Sequence, residues 1–143
     1  MNNSYNKTIW LMACLSMSSC ALAKTTYTCP EKVQLSSAQL VTDDANKNWQ
    51  STTTESPLWL TNVGIYDGPV KDNAALVPTE EKGKTNKWVF EGSYPQGKFA
   101  ACEYGNGVVK LDKPIEASAT NCTATIKSSA TRSGIDAVIV CAP

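Results

Sequence analysis

The chain has 143 residues, 13 of them basic and 13 acidic, with six cysteines and no histidine. That charge balance argues against nucleic acid as a partner, because neutralising phosphates needs an excess of Lys and Arg. It also removes the polybasic patch that draws proteins to anionic membranes, and the missing histidine excludes a Ser-His-Asp triad.

Residues 1–23 read as a secretory signal peptide. Lys7 precedes an apolar run from Ile9 to Met17, and small residues end in Ala21-Leu22-Ala23. This is the order of charge, apolar segment and A-x-A site that export uses. The run is too short to cross about 30 Å of hydrocarbon, so no membrane span is expected. Met17-Ser18-Ser19-Cys20 loosely matches a lipoprotein box, and a lipid anchor at Cys20 is the second option. Cleavage leaves 12 basic and 13 acidic residues. Residues 24–143 then suit one periplasmic domain with a modest core.

Beyond the leader, Ser36 to Trp49 could supply one or two helical turns. Residues 42–56 are polar and Thr-rich, with Trp49 isolated among them. The first strong strand signal is LWLTNVGIY, where Trp59, Thr61, Val63 and Ile65 alternate with Leu58, Leu60 and Asn62. Asp67-Gly68-Pro69 ends that strand with turn chemistry. A charged loop follows at Pro78–Lys87, and then Trp88 and Phe90 point to one side. Tyr94-Pro95-Gln96-Gly97 is the next turn. After it Ala100, Cys102 and Tyr104 alternate with Phe99, Ala101 and Glu103. Gly105-Asn106-Gly107 joins this run to Val108–Lys113 as a hairpin. GIDAVIVCAP closes the chain with a short β-branched run. The expected fold is mainly β: a small antiparallel sandwich or barrel, disulfide-stapled, with little helix and with Trp59, Trp88 and Phe90 in its core.

Cys29, Cys102, Cys122 and Cys141 remain after cleavage, an even number in an exported chain. The default reading is a disulfide framework. A nucleophilic cysteine would need a neighbouring histidine or a strongly cationic pocket, and the mature chain has one arginine, Arg132. Three pairings exist. The preferred one joins Cys29 to Cys141 and Cys102 to Cys122; its rival bridges Cys122 and Cys141 across a C-terminal hairpin.

Little else carries chemistry. The cysteines lack the C-x₂₋₄-C spacing of a structural zinc site, and Asp43-Asp44 and Glu80-Glu81 lack the frame of a calcium loop. No metal, cofactor or catalytic residue is expected, and the chain reads as a non-enzyme. Glu91 and Glu103, on neighbouring expected strands, are the one carboxylate pair to nominate for glycoside hydrolysis. Solvated carboxylates opposite Lys98 or Lys110 are the plainer reading. Tyr66 and Tyr94 stand at turns, where exposed aromatics often meet partners.

The order of landmarks adds a resemblance. YTCP at 27–30, GIYDGP at 64–69, AALVP at 74–78 and KWVFEGSYPQGKFAACEYGNG at 87–107 follow one another, ahead of Cys122. The chain resembles a family of small exported proteobacterial proteins with this YTCP, YDGP and W…C-x-Y pattern. Some of them look like periplasmic immunity proteins against type VI secreted cell-wall effectors of the L,D-transpeptidase fold. The opening Y-T-C is also similar to that of periplasmic lysozyme inhibitors, whose Ser-Gly-x-x-Tyr loop is absent here. Gly92-Ser93-Tyr94 has a different order. The resemblance implies a rigid scaffold whose loops plug the active site of a cognate secreted cell-wall-degrading or modifying effector. Tyr66, Asp67, Glu80, Glu81, Tyr94, Gln96 and Lys98 are the candidate contacts. The alternative is an envelope-associated glycan-binding or lysozyme-inhibitor-like protein, touching glycan through Tyr66, Tyr94 or Trp49.

Overall fold

Alternating apolar residues become strands that line two antiparallel sheets. A computed structural model describes residues 23–36, 56–129 and 134–143. The expectations placed on the leader, on Cys20, on the stretch holding Trp49 and on Arg132 lie outside the described residues. Among those described, the strands are β1 (Thr25–Thr28), β2 (Lys32–Val33), β3 (Leu58–Asp67), β4 (Glu80–Lys82), β5 (Thr85–Val89), β6 (Lys98–Tyr104), β7 (Val109–Ile115), β8 (Asn121–Ser128) and β9 (Ile135–Ala142). One sheet has the order β1-β9-β8-β5-β4 and the other β2-β3-β6-β7. The only helical turn among them is a 3-10 turn at Val70–Asp72.

The core lies between the sheets. Leu60, Val63, Ile65, Ala100 and Tyr104 face it from one side, and Trp88, Cys122, Ala124, Ile139 and Cys141 from the other. Buried polar atoms in this core have partners, as burial demands. The Tyr104 hydroxyl donates to the Pro30 carbonyl at 2.9 Å, and Trp88 Nε1 donates to the Leu76 carbonyl at 2.9 Å. The mainly β, antiparallel, disulfide-held architecture expected from the alternation is the one observed.

Several finer expectations need correction. Strict alternation through β3 fails because the ladder with β6 slips between Leu60 and Asn62. The irregularity puts Leu60 in the same core as Val63 and Ile65, although its position has the opposite parity. Trp59 is therefore not a core residue. It is half-exposed, with Lys32 Nζ 5.5 Å from its ring centre. Phe90 only packs against the core's margin. The charged loop at Pro78–Lys87 is a hairpin, β4 paired with β5 from Glu80↔Lys87 to Lys82↔Thr85.

The preferred cysteine pairing is also overturned. Cys29 bonds Cys102 and Cys122 bonds Cys141. The first and last long segments do adjoin, since β1 pairs β9 with Thr25 opposite Cys141. Cys29, however, lies just past β1, where the chain turns toward the other sheet. It is thereby carried to Cys102 on β6 and links the two sheets. Cys122 and Cys141 stand directly opposite each other in the β8–β9 ladder, so register alone delivers them to one another.

Candidate functional site

The candidate contact residues divide into two places. The first is the outer face of the β3–β6–β7 sheet and the flank beside it. Past the slip, Asn62, Gly64 and Tyr66 share that face with Glu103, Ala101 and Phe99, their respective ladder partners, and with Lys110 opposite Glu103. Tyr66 was expected at the surface because it precedes a turn. It is instead buried, 3 % exposed, in a small second cluster with Val70, Ala101 and the half-buried Phe99. The 3-10 turn explains this. Gly68 at φ 81° turns the chain, and Val70 is folded back over the ring.

The Tyr66 hydroxyl donates to Glu103 Oε1, while Asn62 Nδ2 donates to Glu103 Oε2 at 3.1 Å. Lys110 Nζ lies 4.9 Å from the Tyr66 ring centre and donates to Asn73 Oδ1 at 2.9 Å. Asn73 can present that oxygen because it caps the 3-10 turn in the left-handed conformation, φ 56°. Burial, and then the bond to Glu103, raises the Tyr66 pKa above its ordinary value. The contact with Tyr66 chiefly raises that of Lys110.

A groove of about 180 Å³ opens beside this cluster, lined by Asn62, Tyr66, Pro78, Glu81, Asn86 and Glu103 among others. The stretch 74–79 forms its wall. Leu76 N donates to the Ile65 carbonyl and Thr79 N to the Lys87 carbonyl, so the segment stitches β3 to β5. Val77 projects from it, 87 % exposed. Glu80 and Glu81 lie on β4, the exposed edge strand of the five-stranded sheet. Of the expected contacts, the structure thus joins Tyr66 to Glu81 through this groove.

The second place is the end of the sandwich where β3 stops and β6 starts. Gly68 N donates to the Gly97 carbonyl at 2.8 Å, which ties the turn after Asp67 to the turn at 94–97. Asp67 and Lys98 face each other across the ladder. Gln96 is exposed and Tyr94 half-exposed. Lys98 departs from expectation: although Asp67 is its ladder partner, it does not stand in water but is 7 % exposed. Its ammonium donates to the carbonyls of Ala117 at 3.3 Å and Ala119 at 2.9 Å. It also sits 4.9 Å from the Phe90 ring centre and 5.2 Å from that of Tyr94.

Glu91 and Glu103 are not neighbours. Glu91 follows β5 in one sheet and Glu103 lies on β6 in the other, so the pair nominated for acid–base work is not assembled. Among the described residues, no cluster of three or more His, Cys, Asp or Glu could hold a metal ion. No helix among them is long and apolar enough to cross a membrane. What the arrangement offers is surface: a rigid acidic flank and a turn cluster, both braced by side-chain bonds. Asn62, Asn73, Asn86 and Lys110 escaped the sequence reading as site residues. The even parity of Asn62, Gly64 and Tyr66 was the available signal for the first of them.

Comparison with known proteins adds a family match. The family model described as type VI secretion system Tli immunity protein matches residues 53–142, from just ahead of β3 to the end of β9. No curated protein and no solved structure matches the chain.

Proposed function

The chain belongs to the type VI secretion system Tli immunity protein family, and we propose that it neutralises its effector in the periplasm by covering the effector's active site. The family match carries the immunity role; the leader pattern in residues 1–23 supports export, with residues 24–143 as the mature domain. Occlusion is supported by the build of the molecule. Two disulfides and a shared core hold the exposed turns in place, and preorganised loops lose little entropy on binding. Asp67, Tyr94 and Gln96 at the sandwich end provide the contact. Glu80 and Glu81 on the edge strand steer a basic effector surface inward. The effector acts on the cell wall, in keeping with the resemblance to proteins that guard against transpeptidase-fold enzymes.

Co-expression tests each part. The secreted protein encoded in the neighbouring reading frame, sent to the periplasm, should lyse or deform cells unless this chain accompanies it. Absence of both protection and a complex on size exclusion would defeat the binding role. Protection by a leaderless form kept in the cytosol would defeat the periplasmic site. Release of muropeptides by the unprotected effector is the expected damage; release of lipid products instead would defeat the cell-wall assignment alone.

A further inference from the structure

Lys98 is a buried ammonium whose contacts are two carbonyls and two aromatic faces. An ammonium has three N–H donors, and the Ala117 and Ala119 carbonyls take two. The Phe90 and Tyr94 rings add cation–π attraction. Among the described residues no carboxylate pairs with it. Asp67 stands across the ladder and Glu116 begins the neighbouring loop, yet neither forms an ion pair with Nζ. Burying a charge without a counter-ion is costly, and dipoles and ring faces leave the net charge uncancelled.

The Lys98 side chain lines open space. A cavity of about 220 Å³ is lined by Gly92, Tyr94, Gly97, Lys98, Ile115 and Ala117. Two of its wall residues are glycines, so no side chain from Gly92 or Gly97 fills it. The bracing is double: Gly97 N donates to the Tyr94 carbonyl, and Phe90 N donates to the Thr120 carbonyl. The first bond closes the turn that forms one wall, and the second ties the strand end before Gly92 to the neighbouring loop.

We propose that this cavity is an anion site that receives one carboxylate, presented by an acidic side chain of the effector. The donor is the Lys98 ammonium, and Tyr94 forms the rim. The assignment of that carboxylate to the effector rests on the immunity reading; the anion site itself does not. Lys98 thereby contributes to binding from inside the fold rather than from its surface.

Acetate is the probe for the site. Titrated into the mature protein and followed by backbone amide resonances, it should produce saturable shifts at Gly92, Gly97 and Ala117, with a midpoint in the millimolar range. Lys98→Met should weaken binding by at least about tenfold. Because that variant also strips a donor from two carbonyls, Gly92→Leu serves beside it. The Cβ it adds stands in ordinary contact with the Tyr94 ring, 3.8 Å away, and because Gly92 lines the cavity the added side chain is designed to fill it while Lys98 keeps its acceptors. Gly92→Leu should abolish the acetate shifts and weaken effector binding, with unfolding midpoint little changed. No saturable shift, shifts that survive Gly92→Leu, or phosphate binding where acetate does not would overturn the site. If acetate binds as expected but Gly92→Leu leaves effector binding intact, the carboxylate is not the effector's. Loss of the immunity role itself would appear separately, as failed protection with acetate binding preserved.

Discussion

The Tyr66 hydroxyl and the Glu103 carboxylate bond to each other on the outer face of the β3–β6 pair. The same carboxylate takes a second bond from Asn62, and Lys110 covers the ring from the third strand. This polar knot sits over a small apolar cluster and holds the 70–76 segment against the sheet. Tyr66→Phe keeps the ring's packing and deletes one bond to a charged, part-buried acceptor. The expected loss is about 1–2 kcal/mol of unfolding free energy, from urea denaturation, since bonds to charged groups are worth more than neutral ones. A change within about 0.3 kcal/mol would mean the bond contributes nothing net.

Alkaline pH should expose the same knot. Tyr27, Tyr66 and Tyr104 are raised above their ordinary value, each chiefly by burial, and Lys110 is raised chiefly by its bond to Tyr66. A folded-state pKa above the unfolded one means the native protein holds its proton more tightly. The stability so gained is fully present below about pH 10 and drains as pH rises through the folded-state values. Urea midpoints at about pH 8 and about pH 11 should therefore differ, the second being lower. In Tyr66→Phe the drop should be shallower, because one of the proton-linked groups is gone.

The two disulfides should part company under limited reductant. Cys102 is half-exposed and borders an open cleft of about 200 Å³ with Tyr27 and Leu111, whereas Cys122 and Cys141 are buried in the core. Thiol attack depends on access. Alkylation and peptide mass spectrometry should find Cys29 and Cys102 labelled first. Replacing both by Ala opens a crosslink spanning 73 positions of sequence, worth about 4 kcal/mol by chain entropy. Labelling of Cys122 and Cys141 first would contradict this order.

Much of this architecture was legible because alternation is a local property. The runs at 58–66, 99–104 and 135–141 and the Gly105-Asn106-Gly107 turn each carry their signal within a few residues. What was hidden depends on long-range register. The slip between Leu60 and Asn62 is set by the partner strand, so Leu60 and Trp59 were assigned to the wrong faces. β8 was missed as a strand because NCTATIKS buries only Cys122 and Ala124 fully, side chains too small to mark a strand. Cysteine pairing followed from ladder positions that composition does not encode. Lys98 and Tyr66 read as surface residues by type and by turn proximity. The loops that cover them, 116–120 and 70–76, gave no sign of where they fold.

Trp88 couples the core to the groove wall. Its ring is buried, and its Nε1 donates to the Leu76 carbonyl in the segment bridging the sheets. Trp88→Phe leaves an aromatic ring in place but opens space and strands that carbonyl. The expected cost is about 2–3 kcal/mol, combining the lost volume and the lost donor. Amide exchange at Leu76 and Thr79 should quicken with it, because both amides anchor the segment. Unchanged exchange there would show that the wall is held without the indole.

Glu80 and Glu81 test whether the exposed edge strand serves recognition. Both are exposed, on a strand that only β5 pairs among the described residues, so their replacement leaves the core untouched. Charge on an edge strand has a second role, since it discourages pairing with another copy. Glu80→Lys with Glu81→Lys preserves that protection while inverting the field. Surface changes of this kind typically move stability by under about 0.5 kcal/mol. Association with a basic effector surface should slow by about tenfold at low salt, and the difference should shrink as ionic strength rises. Stopped-flow or surface-based kinetics with the neighbouring secreted protein measures both. An association rate indifferent to the reversal at low salt would remove this strand from the encounter. The turns at 67–69 and 94–97 would then carry recognition without steering.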